Sequence, residues 1–160
     1  MNPLEFLQLC VEDIFWSGVA ALGFAILFNV PNRLLLGCFI AGAVGHMLRT
    51  TLVISGSSLE FATLIGAAAV GFLSVYLGER SKVPPSIFAV TGAIPLVPGV
   101  FAYQTIIGLL NATSAANGQS VDLLAVAGIN GVRTALILSA IAFGIAAPTL
   151  LFRRPNRNMQ

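Results

Sequence analysis

Charge is what this sequence most lacks. Only 9% of its 160 residues are Asp, Glu, Lys or Arg, where a soluble domain carries about 25%. With 57% hydrophobic residues and a mean hydropathy of +0.92, too few polar groups are present to cover a globule, so the apolar surface must face lipid. The net charge is only +2, and no basic stripe is interleaved with aromatics, which argues against a nucleic-acid partner. Cysteine is scarce too. Cys10 and Cys38 fall in apolar stretches without metal-ligand spacing and read as small hydrophobic fillers. There is one histidine and no metal cluster, nucleophile–base pair or paired catalytic carboxylates at a plausible spacing. An enzyme is therefore a poor fit, and neither metal nor cofactor is expected. The N-terminus shows no basic n-region and no early cleavage site, so no removable signal peptide is expected.

What is present is long apolar segments. Five can be drawn at the length of about 20 residues that crosses hydrocarbon: about 4–28, 34–54, 59–77, 85–110 and 122–152. The predicted fold is a single all-α, polytopic membrane domain. Asn29-Val30-Pro31-Asn32-Arg33 reads as a tight turn. Ser55-Gly56-Ser57-Ser58 reads as a short polar loop with Ser58 as N-cap. Gly78 to Pro85 reads as a charged turn, and about Asn111 to Val121 as a longer polar loop. The fifth segment is too long for one straight span, so tilt, or a bend near Gly128–Gly131 or Pro148, is expected.

Five spans sort the loop charges. One side collects Arg33, Arg80, Lys82, Arg153, Arg154 and Arg157, and the loops of the other carry no Lys or Arg. That asymmetry places the basic side in the cytoplasm, with the N-terminus outside and the C-terminus inside. No internal repeat is visible. A related five-span unit starting in the cytoplasm would be inverted relative to this one, a common plan for secondary transporters.

The fourth segment is interrupted at Pro95-Leu96-Val97-Pro98-Gly99. Two prolines remove two backbone donors and should push Ile94 and Val97 away from helical angles. Gly99 should then take a conformation most residues refuse. Freed carbonyls in lipid cost several kcal/mol unless protein, water or substrate meets them. A half-helix restarting after Gly99 would aim the positive end of its dipole into the interior, where it attracts a carboxylate, with Tyr103 and Gln104 lining the same cavity. A proline kink healed by neighbouring helices is the alternative.

Ionisable residues also fall within the spans: Glu12, Asp13, His46, Arg49 and Arg133. Glu12 precedes Phe28 by the same interval that separates Arg49 from Arg33. Both therefore lie roughly 24 Å from the cytoplasmic ends of antiparallel neighbours, and Glu12 or Asp13 can meet Arg49. Such a pair is either functional or a structural neutralisation. Gly42, His46 and Arg49 share one helix face. His46 suits either an interhelical hydrogen bond or a proton relay. Arg133 has Asn130 and Thr134 on its face and suits either a substrate carboxylate or an acidic side chain.

Phe28-Asn29-Val30-Pro31 with Arg33, then Gly45-His46 with Arg49, then Pro95-x-x-Pro98-Gly99 with Tyr103 stand in one order and spacing. Over essentially the whole chain this resembles the small membrane subunit (YjjB-like) of the threonine/serine exporter family. The resemblance implies a bacterial inner-membrane exporter of small carboxylates, either threonine and serine or C4-dicarboxylates such as succinate. It also implies a larger partner subunit (YjjP-like) in a hetero- or homo-oligomer, with its own spans and a cytoplasmic N-terminal region. It makes Pro95, Pro98, Gly99, His46 and Arg49 motif positions, while Glu12, Asp13 and Arg133 rest on physical argument. A structural subunit that docks a partner without contacting substrate is the alternative reading.

Overall fold

The computed structural model describes residues 3–114 and 120–152. The tail arginines Arg153, Arg154 and Arg157, and the middle of the loop before the last helix, lie outside the described residues. Among the described residues every regular element is helical. They are α1 (Pro3–Leu27), a 3-10 turn (Asn32–Leu34), α2 (Leu35–Ile54), α3 (Leu59–Ser81), α4 (Ser86–Ala93), a second 3-10 turn (Ile94–Leu96), α5 (Gly99–Ser114) and α6 (Ser120–Phe152). The chain is an all-α, polytopic membrane protein. Four helices are long and apolar enough to cross a membrane, and a fifth span results if α4 and α5 count as one broken helix.

Local chemistry sets the helix ends. Asn29 takes a left-handed φ of 57°, and Val30 N–H turns back to the Ala25 carbonyl at 2.9 Å, which closes the end of α1. Ser58 starts α3 by accepting from Phe61 N–H at 3.3 Å. α3 runs further than expected, to Ser81, because Glu79 and Arg80 are good helix formers at a water-facing end. It stops at Lys82, which is left-handed with φ 55°. α6 is one helix of 33 residues with Pro148 inside it.

Small residues let the helices touch. A Cβ placed on Gly66 of α3 would fall 2.5 Å from the Gly45 carbonyl oxygen of α2. One on Gly144 of α6 would fall 2.6 Å from the Ala67 Cβ and 2.7 Å from the Leu64 carbonyl oxygen of α3. Without a hydrophobic drive between helices in lipid, such close backbone approach supplies the packing. Buried hydroxyls cause no deficit. Ser74, Thr63 and Thr91 donate to the carbonyls of Val70 (2.6 Å), Leu59 (2.7 Å) and Ile87 (2.9 Å) within their own helices.

Two clusters of buried side chains form the core. Ala25, Leu34, Cys38, Ala41 and Phe88 join α1, α2 and α4. Ala67, Val70, Ala93, Leu96, Ile137 and Ile141 join α3, the end of α4 and α6. α3 and α6 run parallel, since Arg133 lies beside Glu60 and Gly144 beside Ala67. The part of α6 before Arg133 therefore passes beyond the start of α3. There α5 packs along it, Gly108 on Ala127 and Gly131 beside Thr105. α5 packs only marginally on any other helix. The result is a helical bundle with an α5/α6 hairpin extending from it, and the broken segment is the elbow between them.

Candidate functional site at the broken helix

At the break, α4 with its 3-10 turn meets α5 at an angle of 57°. The two prolines act differently. Ile94, before Pro95, keeps helical angles (φ −57°, ψ −43°), contrary to the expectation that it leaves them. Pro95 lies in a 3-10 turn that continues α4, so the chain keeps its helical course there despite the missing N–H. Val97, before Pro98, does turn extended (φ −62°, ψ 131°). The break is therefore made by Pro98. Gly99 also departs from expectation. Its φ is not positive, and a Cβ there would meet nothing within 4 Å. It starts α5 without needing glycine's special freedom, because the extended Val97 has already redirected the chain.

The first helical bond of α5 runs from Ala102 N–H to the Pro98 carbonyl at 3.1 Å. The amides of Val100 and Phe101 precede that ladder, so the positive end of α5 is at the elbow. On the other side of the break the Leu96 carbonyl, at the negative end of α4, accepts from Arg49 Nη1 at 3.1 Å. The guanidinium meets a carbonyl that the break would otherwise leave in an apolar interior. Pro95 and Pro98 pack inside, Pro98 buried and Pro95 partly so; Pro95 lies against Gly42 of α2.

The carboxylate expected to meet Arg49 goes first to His46. Asp13 holds His46 Nδ1 with both oxygens, at 2.8 and 3.0 Å, and Thr50 Oγ1 lies 3.5 Å from the same nitrogen. Arg49 is close enough to feel the Asp13 charge. Glu12 takes no part in this pair. It is exposed and accepts from Gln8 Nε2 one turn earlier at 3.1 Å. A shallow cleft of about 240 Å³ lined by Leu9, Glu12, Asp13, Trp16 and Thr50 opens beside the Asp13–His46 pair.

On the hairpin side, Arg133 of α6 lies with its guanidinium 5.2 Å from the centre of the Phe101 ring, in the first turn of α5. Its Nε is 3.3 Å from Glu60 Oε1 of α3. Glu60 was not among the residues singled out from sequence. It falls two residues after the Ser58 cap, where a first-turn acid is ordinary, and no local pattern distinguishes it. Asn130 lies one turn before Arg133 on the same helix and is half-buried. Tyr103 and Gln104 are exposed. They lie off the stripe of Phe101, Thr105 and Gly108 that faces α6, so the structure does not bring them to Arg133.

The break thus has an arginine at each end, Arg49 on the Leu96 carbonyl and Arg133 on the Phe101 ring. Such an arrangement can hold an anion near the start of α5.

Residues 13–151 match the family model described as "Threonine/Serine exporter, ThrE". The chain is also similar to a protein of Haemophilus influenzae that is itself described only as uncharacterized, with 37% identity over 149 residues. That alignment covers 93% of this chain and 50% of the relative, so the chain spans about half the length of the curated relative it matches. No solved structure matches it.

Proposed function

We propose, from the premise that the chain belongs to the threonine/serine exporter family, that it forms one membrane unit of an exporter for small carboxylate metabolites. The solutes are threonine and serine or C4-dicarboxylates such as succinate. Export requires a larger, homologous membrane subunit of the YjjP-like kind, and the two units lie inverted in the bacterial inner membrane. This chain has its N-terminus outside and its basic loops, with Arg33, Arg80 and Lys82, in the cytoplasm. Membership of an exporter family and the membrane-spanning helices support a transporter rather than an enzyme.

The observation that carries this reading is the break itself, an interrupted helix with a guanidinium at either end. An interruption at membrane depth is tolerated where it is buried in protein or lines a cavity, and transporters place substrate there. Pro95, Pro98 and Gly99 shape the site. The start of α5 and Arg133 attract the carboxylate, Asn130 borders them, and Tyr103 and Gln104 are left to a partner-facing surface. Asp13 and His46 form a hydrogen-bonded pair beside the cleft at Glu12, an arrangement that suits proton coupling.

The test is export from cells carrying the chain together with the larger subunit. The pair should lower intracellular threonine, serine or succinate, and Pro98→Ala should abolish this while the chain stays in the membrane. Normal efflux by Pro98→Ala would remove the break from the site. The exposed apolar hairpin, including Val100, Ile106, Leu110, Val126 and Ile129, favours a second reading, an assembly subunit without substrate contacts. On that reading Arg133→Gln keeps transport per assembled complex and lowers the amount of complex.

A further inference from the structure

The ionisable side chains on the helices are arranged in two different ways. Asp13 closes on His46 with both oxygens, and Arg49 donates an aligned hydrogen bond to the Leu96 carbonyl. The Glu60–Arg133 pair is not closed. Its nearest atoms are Nε and Oε1 at 3.3 Å, and no aligned hydrogen bond joins either side chain to another described residue. The two side chains are 48% and 29% exposed. A pair whose purpose is to neutralise two charges among apolar helices gains most from a two-bond fork. Here the Arg133 guanidinium instead lies over the Phe101 ring, 5.2 Å from its centre, and Glu60 is the one acidic partner of its N–H groups among the described residues. Glu60 lies in the first turn of α3, where the helix dipole favours a carboxylate.

From this open geometry we infer that Glu60 and Arg133 form a paired-charge subsite for a zwitterion, Arg133 taking the carboxylate and Glu60 the ammonium of one amino acid. The assignment rests on the exporter reading above and narrows it. An α-amino acid carries its two charges one carbon apart, which matches a cation and an anion already in contact. A C4-dicarboxylate brings a second negative charge, which Glu60 repels. Glu60 is thus a specificity-determining residue on α3, facing the start of α5 across Arg133 of α6. The Phe101 ring holds the guanidinium in place between the two.

The experiment uses the full chain with the larger subunit in cells loaded with threonine or with succinate, and reads initial efflux and the amount of chain in the membrane. Glu60→Gln should lower threonine efflux at limiting concentration about tenfold or more, the usual consequence of losing a charge-assisted bond. Succinate efflux should rise relative to threonine, and Glu60→Asp should restore most of the preference for threonine. 2-Hydroxybutyrate, which lacks the ammonium, should compete better against Glu60→Gln than against the unaltered chain. Glu79→Gln, at the far end of α3, should change neither solute. Equal loss of both solutes in Glu60→Gln, or no change in either, would make the pair structural and overturn the subsite while leaving the exporter reading intact. Export of succinate but not threonine by the unaltered chain would do the same. Failure to export any of these solutes would overturn the exporter reading and the subsite together.

Discussion

Replacing Arg49 with methionine tests the break directly, because one bond ties it to α2. Arg49 Nη1 donates to the Leu96 carbonyl at 3.1 Å, and Leu96 itself is fully buried. Losing a hydrogen bond with a charged donor costs about 1.5–3 kcal/mol. Methionine returns part of that, since it removes a half-buried guanidinium that is costly to desolvate. The net loss should be about 1–2 kcal/mol, about 5–30-fold in the folding equilibrium. The Leu96 carbonyl would still lie at the end of α4 with no replacement donor, so the loss should be local to the elbow. The assay is SDS-driven unfolding of the purified chain in mixed micelles, with Arg49→Lys as a comparison that retains a donor and the charge. A second arm adds Asp13→Asn. Because Arg49 feels the Asp13 charge, the two single losses should exceed the double loss by about 0.5 kcal/mol or more. If Arg49→Met leaves the unfolding midpoint where it was, the guanidinium does not support the break. If the two losses add within about 0.3–0.5 kcal/mol, Asp13 and Arg49 act independently.

The remaining predictions concern glycines. Gly144→Val should cost about 1–3 kcal/mol or more by overpacking, because its Cβ would press on the Leu64 carbonyl and the Ala68 amide of α3; Gly128→Ala, with nothing within 4 Å of its Cβ, should unfold no earlier than the unaltered chain in the same titration. Gly99→Ala should keep both folding and efflux, since neither φ nor space demands glycine there; loss of efflux with normal folding would show that substrate approaches the backbone at that point.

Much of the architecture was legible because lipid leaves so few options. Where every backbone group must be paired within its own segment, apolar length and polar interruptions nearly define the helices. The expected cap at Ser58 is present because its oxygen answers a purely local need. The break was legible as two prolines, yet only one of them breaks the helix. The difference is that Pro95 falls in the first turn of a 3-10 helix while Val97 before Pro98 turns extended, and tertiary packing around Leu96 decides that. Depth arithmetic brought Glu12 or Asp13 to the level of Arg49 alone, and His46 stands one turn before Arg49 on the same face. Which of the two takes the carboxylate depends on reach and on the Leu96 carbonyl, and neither is written in the spacing. Glu60 was not legible at all, because its partner lies on a helix far along the chain and brings it no local signature.

The hairpin was hidden for a related reason, and it changes what the last helix means. Thirty-three residues of α6 measure about 50 Å, against roughly 30 Å of hydrocarbon. Toward its start, before Arg133, α6 packs on α5, with Ala127 on Gly108 and Gly131 beside Thr105. Val121, Val126, Ile129 and Val132 on α6 and Val100, Ile106 and Leu110 on α5 are all exposed, and a continuous apolar surface of that kind is not stable against water. It is covered by lipid, which requires α6 to tilt strongly, or by protein. In either case the hairpin joins the bundle where α3, α5 and α6 converge on Glu60, Phe101 and Arg133. Any change in the angle of the hairpin must be accommodated there and at Val97–Pro98. An open charged pair at that joint is therefore where a bound zwitterion would gain or lose contacts as the elbow moves, which ties the occupancy of the subsite to the geometry of the break.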